Sequence, residues 1–259
     1  MDVNKNSYTL GFAAIMVVIV AALLSVAFIQ QKPFQDINIE LEKKQNILRS
    51  VGITVERDAA EKAYDTYITG ELVLNNKGEE VEGSAFDIDL AKEIKKEASA
   101  QLLPLFIGEV DGRTMYIIPL RGKGLWGPIW GFISLEDDLN KVYGAVFDHK
   151  AETPGLGAEI NTPEFQIPFT GKIILEEGKL VSIIVQKGGS NGDIHKVDAI
   201  SGGTITSDGV TDMIEERLKR YMSYFESLSP EMQVKHIINL VESDENLDTT
   251  SNISERIIN

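Results

Sequence analysis

Four glycine-rich segments hold the residues best suited to grip a ligand. They are Arg121 to Pro128 (Arg-Gly-Lys-Gly-Leu-Trp-Gly-Pro), His149 to Gly157 (His-Lys-Ala-Glu-Thr-Pro-Gly-Leu-Gly), Gln186 to Gly189 (Gln-Lys-Gly-Gly) and Ser201 to Thr204 (Ser-Gly-Gly-Thr). Any one of them reads as an ordinary turn, because glycine serves tight turns and bulges without a ligand. Their joint occurrence points to a site. The last segment is chemically the most pointed, since Thr204 offers a hydroxyl just ahead of an amphipathic stretch. A phosphate on Thr204 Oγ would rest on the Gly202-Gly203 loop, where backbone N–H groups and the positive end of the following helix both favour an anion. Small residues at 202 and 203 also leave that hydroxyl open to a large modifying enzyme. Metal chemistry finds little footing: the chain has no cysteine and three scattered histidines, and His149 beside Glu152 gains no third ligand from His195 or His236. Disulfides and iron–sulfur ligation by this chain are excluded for the same reason.

The elements that must position these loops are legible as patterns. Val210, Met213, Ile214, Leu218 and Tyr221 recur at helical spacing after the Thr204 segment, with Ser207 or Asp208 placed to cap the start. Leu102 to Ile107, Met115 to Leu120, Ile129 to Leu135 and Val142 to Phe147 are short runs of branched and aromatic residues divided by glycines, the texture of strands. Lys172 to Leu175 and Leu180 to Val185 flank Glu176-Glu-Gly-Lys179 and predict a hairpin. Lys62 to Leu74 suits either a strand or a short helix closed by the turn at Asn75 to Gly78. Phe86 to Ala98 predicts a helix with Ile88, Leu90, Ala91 and Ile94 facing inward. The soluble part is therefore expected to be α+β, an antiparallel-leaning sheet with helices packed on it.

Ahead of it, Leu10 to Ile29 is an unbroken apolar run of the ~20 residues that span a bilayer core as a helix. A cleaved signal peptide ending near Ser25-Val26-Ala27 is the competing reading, but the flank has only Lys5 and the apolar run continues through Phe28 and Ile29, so a retained single-span anchor is preferred. Lys32, Lys43, Lys44 and Arg49 after the span would place the following domain in the cytoplasm, although that rule has little leverage on a long domain. The expected organisation is a flank at 1–7, a transmembrane helix at 8–30, a polar helical stalk at 31–55, a soluble domain at 56–225 and an acidic tail at 226–259. Within the tail, Met232 to Val241 forms one apolar helical patch before a disordered end. The formal net charge of −15 argues against nucleic acid or an anionic lipid surface as the main partner.

The stretch Asp198-Ala-Ile-Ser-Gly-Gly-Thr204 resembles the D-x-x-[ST]-G-[AG]-[TS] signature at which a flavin transferase esterifies FMN to a threonine hydroxyl. Together with Gly-Lys-Gly-Leu-Trp-Gly, Glu-Thr-Pro-Gly-Leu-Gly and Lys-Gly-Gly in that order, it is similar to the C subunit of the sodium-translocating NADH:quinone oxidoreductases, over nearly the whole chain up to about Phe225. Gly203 stands where many members have Ala, and the acidic tail is longer than the family's. The resemblance implies a single N-terminal span in the cell inner membrane and a periplasmic domain with FMN linked to Thr204. It also implies a flavin pocket formed with Ser201, Gly202, Gly203, Glu152, Thr153, Leu156 and Gly157. Leu125, Trp126 and Leu156 would cover the benzenoid edge of the flavin, Trp126 only peripherally, since Trp126 and Trp130 read first as core anchors. Thr153 would meet the pyrimidine edge. Lys187 resembles a flavin-contacting lysine, whose charge would favour the anionic reduced flavin; otherwise it is a solvated loop residue. Asp198 either orients the loop or serves the transferase.

The implied function is electron transfer within a sodium-pumping translocase, from NADH through FAD and iron centres to this FMN and on to a second FMN, riboflavin and quinone. Other subunits of the complex must bind NADH and move the ion, because this chain has no dinucleotide-binding fingerprint and no bundle of spans. Two further classes stand beside it: a G-type subunit of an Rnf complex or another flavinylated extracytoplasmic reductase component, and a flavin-free anchored interaction protein.

Overall fold

The structure, a computed structural model, describes residues 6–228; the acidic tail beyond, with Met232 to Val241 and His236, lies outside the described residues. Helix α1 (Asn6–Ser50) is continuous from the apolar run into the polar stretch, about 68 Å at 1.5 Å per residue. It is long and apolar enough to cross a membrane, and none of the apolar window is buried against the rest of the protein. Pro33 sits inside it, where its missing N–H leaves the Ile29 carbonyl unbonded at the end of the apolar run. The helix stops at Gly52, whose φ of +78° suits glycine, with Ile53 N–H donating to the Leu48 carbonyl and Gly52 N–H to that of Arg49. The stretch expected as a stalk thus ends inside the domain: Ile47, Leu48 and Val51 are fully buried. The Ser50 carbonyl accepts from Ser134 Oγ and passes so close to Gly144 that a Cβ there would meet it at 2.5 Å.

After α2 (Ala60–Tyr67), the chain enters β1 (Ile68–Leu74) and β2 (Glu80–Val81). Lys62 to Leu74 is therefore helix and then strand. The helix expected over Phe86 to Ala98 is reduced to α3 (Leu90–Glu93). Asp89 caps it by accepting from Ala91 N–H, and the buried Glu93 then turns outward from the helix to accept from Leu102 N–H and pair with Lys96. Strands β3 (Leu103–Val110), β4 (Arg113–Lys123), β5 (Pro128–Leu135) and β6 (Val142–His149) complete a six-stranded antiparallel sheet in the order β2-β1-β3-β4-β5-β6.

Period-two alternation divides the core between the two faces. On β4, Met115 and Ile117 pack with the end of α1 and with Tyr64 of α2, whereas Ile118 and Leu120 pack with α5 (Thr204–Leu228). Between β6 and α5 run α4 (Pro163–Gln166), the hairpin β7 (Leu175–Glu176) and β8 (Lys179–Leu180), then β9 (Ile184–Gln186) and β10 (Lys196–Asp198). The expected second hairpin strand breaks at Ser182, which has a φ of +61°. Its remainder, β9, pairs in parallel with β10. The architecture is the expected α+β one.

Candidate functional site

Three of the four glycine-rich segments converge on the first turn of α5. Gly124 to Gly127 is the four-residue turn joining β4 and β5, whose register runs to Lys123↔Pro128, with Gly124 N–H donating to the Gly127 carbonyl at 2.8 Å. This turn lifts Leu125 and Trp126 away from the protein, and Trp126 is 66 % exposed. The expectation of a core anchor fails for Trp126, because a four-residue hairpin tip has no layer above it. Trp130, two register steps inside β5, is half-buried with Arg121 over its ring. The second segment follows β6 and coils back through Leu156 N–H and Ala158 N–H, both donating to the Thr153 carbonyl. Close approach then needs glycine: a Cβ on Gly157 would meet Thr206 Oγ1 at 2.4 Å and Glu152 Oε2 at 2.5 Å.

Glu152 ties these pieces together. It is 5 % exposed, and its Oε1 accepts from Trp126 N–H at 2.8 Å while its Oε2 accepts from the Thr206 hydroxyl at 2.7 Å. Burial alone would raise its pKa. The Thr206 hydroxyl and the Trp126, Leu125 and Gly127 amides outweigh that and hold the carboxyl below its ordinary 4.5. Both oxygens of Glu152 are thus occupied by protein donors, which makes it a positioning residue for the pocket walls. Its own N–H donates to His149 Nδ1 at 3.2 Å. Among the described residues no cluster of His, Asp and Glu could hold a metal ion.

Helix α5 begins at Thr204, three residues earlier than the expected cap at Ser207 or Asp208. Gly203 accepts the first intrahelical bond, from Ser207 N–H at 2.9 Å, and so occupies the cap position without a side chain to satisfy the orphan N–H groups of the first turn. Ser207 instead turns back, its Oγ accepting from Ile200 N–H at 3.2 Å, which fixes the loop ahead of the helix. Gly202 has a φ of +75° and faces Leu156, whose Cδ2 a Cβ would meet at 2.7 Å. Thr204 is half-buried at the mouth of this arrangement, with Ser201 and Gly202 exposed beside it. Close packing of α5 on β4 fixes the helix entry next to the Leu125-Trp126 tip: a Cβ on Gly209 would meet the Lys123 carbonyl at 2.3 Å, and one on Gly122 would meet Met213 Cβ at 2.7 Å.

The fourth segment arrives by the parallel pairing. Gln186 and Asp198 end β9 and β10 side by side, and Ala199 N–H donates to the Gln186 carbonyl, so Lys187 and the Thr204 segment leave from the same end. Lys187 is exposed. Asp198, whose role the sequence left open, accepts from Ser190 N–H and so binds the Lys187-Gly-Gly-Ser190 turn to the strand that leads to Thr204. Two residues were missed by the sequence reading. Thr206, which no motif marks, locks onto Glu152. Ile205 adds an exposed apolar side chain to Leu125, Trp126 and Leu156. The available signal was that Ile205 falls opposite the stripe of Val210, Met213, Ile214, Leu218 and Tyr221 at helical spacing.

Glycine loops converging on a helix entry, on an α+β sheet that follows one long helix with an apolar first half, define the class: residues 124–219 match the FMN-binding domain family. The C subunit of the Na(+)-translocating NADH-quinone reductase of Haemophilus ducreyi is 31 % identical over 226 residues, covering 80 % of this chain and 88 % of that one. The crystal structure of the same subunit from Parabacteroides distasonis superposes with a TM-score of 0.71 at 44 % identity, over 75 % of this chain and 96 % of that one. NqrC of Shewanella oneidensis superposes with a TM-score of 0.64 at 26 % identity, over 73 % and 97 %. The chain belongs to the family of the C subunits of Na(+)-translocating NADH-quinone reductases.

Proposed function

We propose that this chain is the membrane-anchored electron-transfer subunit of a sodium-pumping NADH:quinone reductase and that it carries FMN esterified through its phosphate to Thr204. The observation that carries the reading is the position of Thr204 as the first residue of α5 behind a glycine cap, which leaves the helix N-terminus without a side-chain acceptor. A phosphate on Thr204 Oγ would supply that acceptor and meet the positive end of a 25-residue helix. When bound, FMN supplies reversible acceptance and release of electrons. The chain's own residues do the rest. Leu125, Trp126, Leu156 and Ile205 offer apolar cover to the ring, Ser201, Gly202, Gly203, Thr153 and Gly157 shape the floor, and Glu152 holds the walls at fixed spacing. Lys187 lies on the same side as the Thr204 loop and supplies a cation.

In this reading α1 anchors the chain in the cell inner membrane, and the FMN-binding domain, 56–225 with the end of α1 docked on it, faces the periplasm. Maturation requires a flavin transferase, and NADH oxidation and ion movement belong to the other subunits of the complex. The test is a denaturing gel viewed under ultraviolet light, run on the chain coexpressed with a flavin transferase. Wild type should fluoresce and Thr204→Ala should not, while Thr206→Ala should keep the band. A fluorescent Thr204→Ala band refutes the attachment, and a dark wild-type band favours the flavin-free interaction protein. Copurified neighbours from the native membrane separate this complex from an Rnf-type one.

A further inference from the structure

The middle of α5 carries a second ligand-sized feature. β3 pairs with β4 only as far as Phe106↔Ile117, so from Ile118 to Lys123 β4 has β5 on one side and, among the described residues, no strand on the other. Beside that open edge lies a cavity of about 270 Å³ whose walls include Gln101, Arg121, Lys123, Arg217 and Arg220 against one acid, Glu216, the Arg121 guanidinium itself standing over the Trp130 ring. In a chain of net charge −15 this is a local reversal of sign. Arg217 is the unusual member. It is 4 % exposed, and its Nη1 is enclosed without a hydrogen-bond partner among the described residues.

A buried guanidinium left unpaired is strongly unfavourable, and such groups are normally matched by an anion or a hydrogen-bond acceptor. The nearby acids do not supply one by contact. Glu93 is already committed to Lys96 Nζ at 2.6 Å and to Leu102 N–H at 3.0 Å. Glu216 is exposed and forms no ion pair with Arg217 among the described residues. Tyr221 donates its hydroxyl to the Pro104 carbonyl.

We propose that this cavity binds a small phosphate-class oxyanion, anchored by Arg217 and enclosed by Lys123 and Arg220. Guanidinium groups present forked donors that match such an anion, and the volume falls just below the usual range for small-molecule pockets, ~300–1,000 Å³, which suits phosphate or a simple phosphate monoester. The site is separate from the flavin acceptor. Arg217 lies thirteen residues along α5 from Thr204, about 20 Å of helical rise.

Isothermal titration of the full chain in detergent, at ionic strength held constant with chloride, tests this with inorganic phosphate in one arm and glycerol phosphate in the other. Saturable binding is expected, with the tighter arm identifying a free or an esterified phosphate. Arg217→Met, which removes the buried charge and keeps the bulk, should weaken binding at least tenfold. Arg220→Gln and Lys123→Gln change side chains outside the core, and each should weaken it severalfold, so the inference stays open to refutation if the Arg217 variant does not fold. No saturable binding in either arm, or an affinity unchanged in Arg220→Gln and Lys123→Gln, overturns it.

Discussion

Glu152 gives the sharpest test of how the pocket is held. Its carboxylate is buried and accepts from a backbone amide, Trp126 N–H, that cannot reorient and from a hydroxyl, Thr206, that can. Glu152→Gln keeps one acceptor oxygen for Trp126 and turns its amide toward Thr206, whose hydroxyl then rotates to accept. What is lost is mainly the charge assistance, about 1–2 kcal/mol given that hydrogen bonds to charged groups are worth ~1.5–3 and neutral ones ~1. Glu152→Ala instead leaves the buried Thr206 hydroxyl and the part-buried Trp126 N–H without their acceptor and opens a void, which should cost about 3–5 kcal/mol. At ~2–4 °C per kcal/mol for a domain of this size, thermal unfolding of the full chain in detergent should shift by roughly 2–8 °C for Gln and by roughly 6–20 °C for Ala.

The pH dependence has a fixed sign. Because the folded-state carboxyl is held below its ordinary value of 4.5, its contribution is fully present above that value and is lost as pH falls through the folded-state pKa. The gap between wild type and Glu152→Gln should therefore close under acid conditions. An Ala variant as stable as wild type, or a Gln variant whose deficit is unchanged at pH well below 4.5, would refute the clamp.

Gly157→Ala should destabilise the chain and reduce flavin loading sharply, since its Cβ would meet both partners of the Glu152–Thr206 bond at 2.4–2.5 Å. Gly203→Ala, whose Cβ would have Ile200 and Gly157 N as its nearest neighbours at 3.0–3.3 Å, should load normally in the same gel assay. Lys187→Met should leave the covalent flavin intact and lower its midpoint potential by tens of millivolts, because an exposed cation acts through a partly screened field. An unchanged potential by spectroelectrochemistry would assign Lys187 to solvent. Protease added to intact spheroplasts should shave the domain after α1. Full protection there, with digestion in inverted vesicles, would reverse the proposed orientation.

The sequence alone determined the elements with strong local periodicity. The apolar run at the start of α1, the four long strands after Leu102 and the amphipathic face of α5 each carry enough regularly spaced apolar residues that burial could be satisfied in only one way. It also singled out Ser201 to Thr204 as a contiguous motif, and with it Thr204 as the proposed acceptor. Tertiary structure decided the rest, for the reason that close approach between segments distant in the chain leaves no local pattern. Gly157 reads as a loop glycine until Thr206 lies against it, and Trp126 reads as a core residue until the β4–β5 register places it at a hairpin tip. The start of α5 at Thr204 depended on Ser207 turning back to Ile200 in place of capping, a choice between two hydrogen bonds of similar strength. Arg217, one charged residue among many on an amphipathic helix, became an unpaired buried cation only when the sheet left β4 with an open edge beside it.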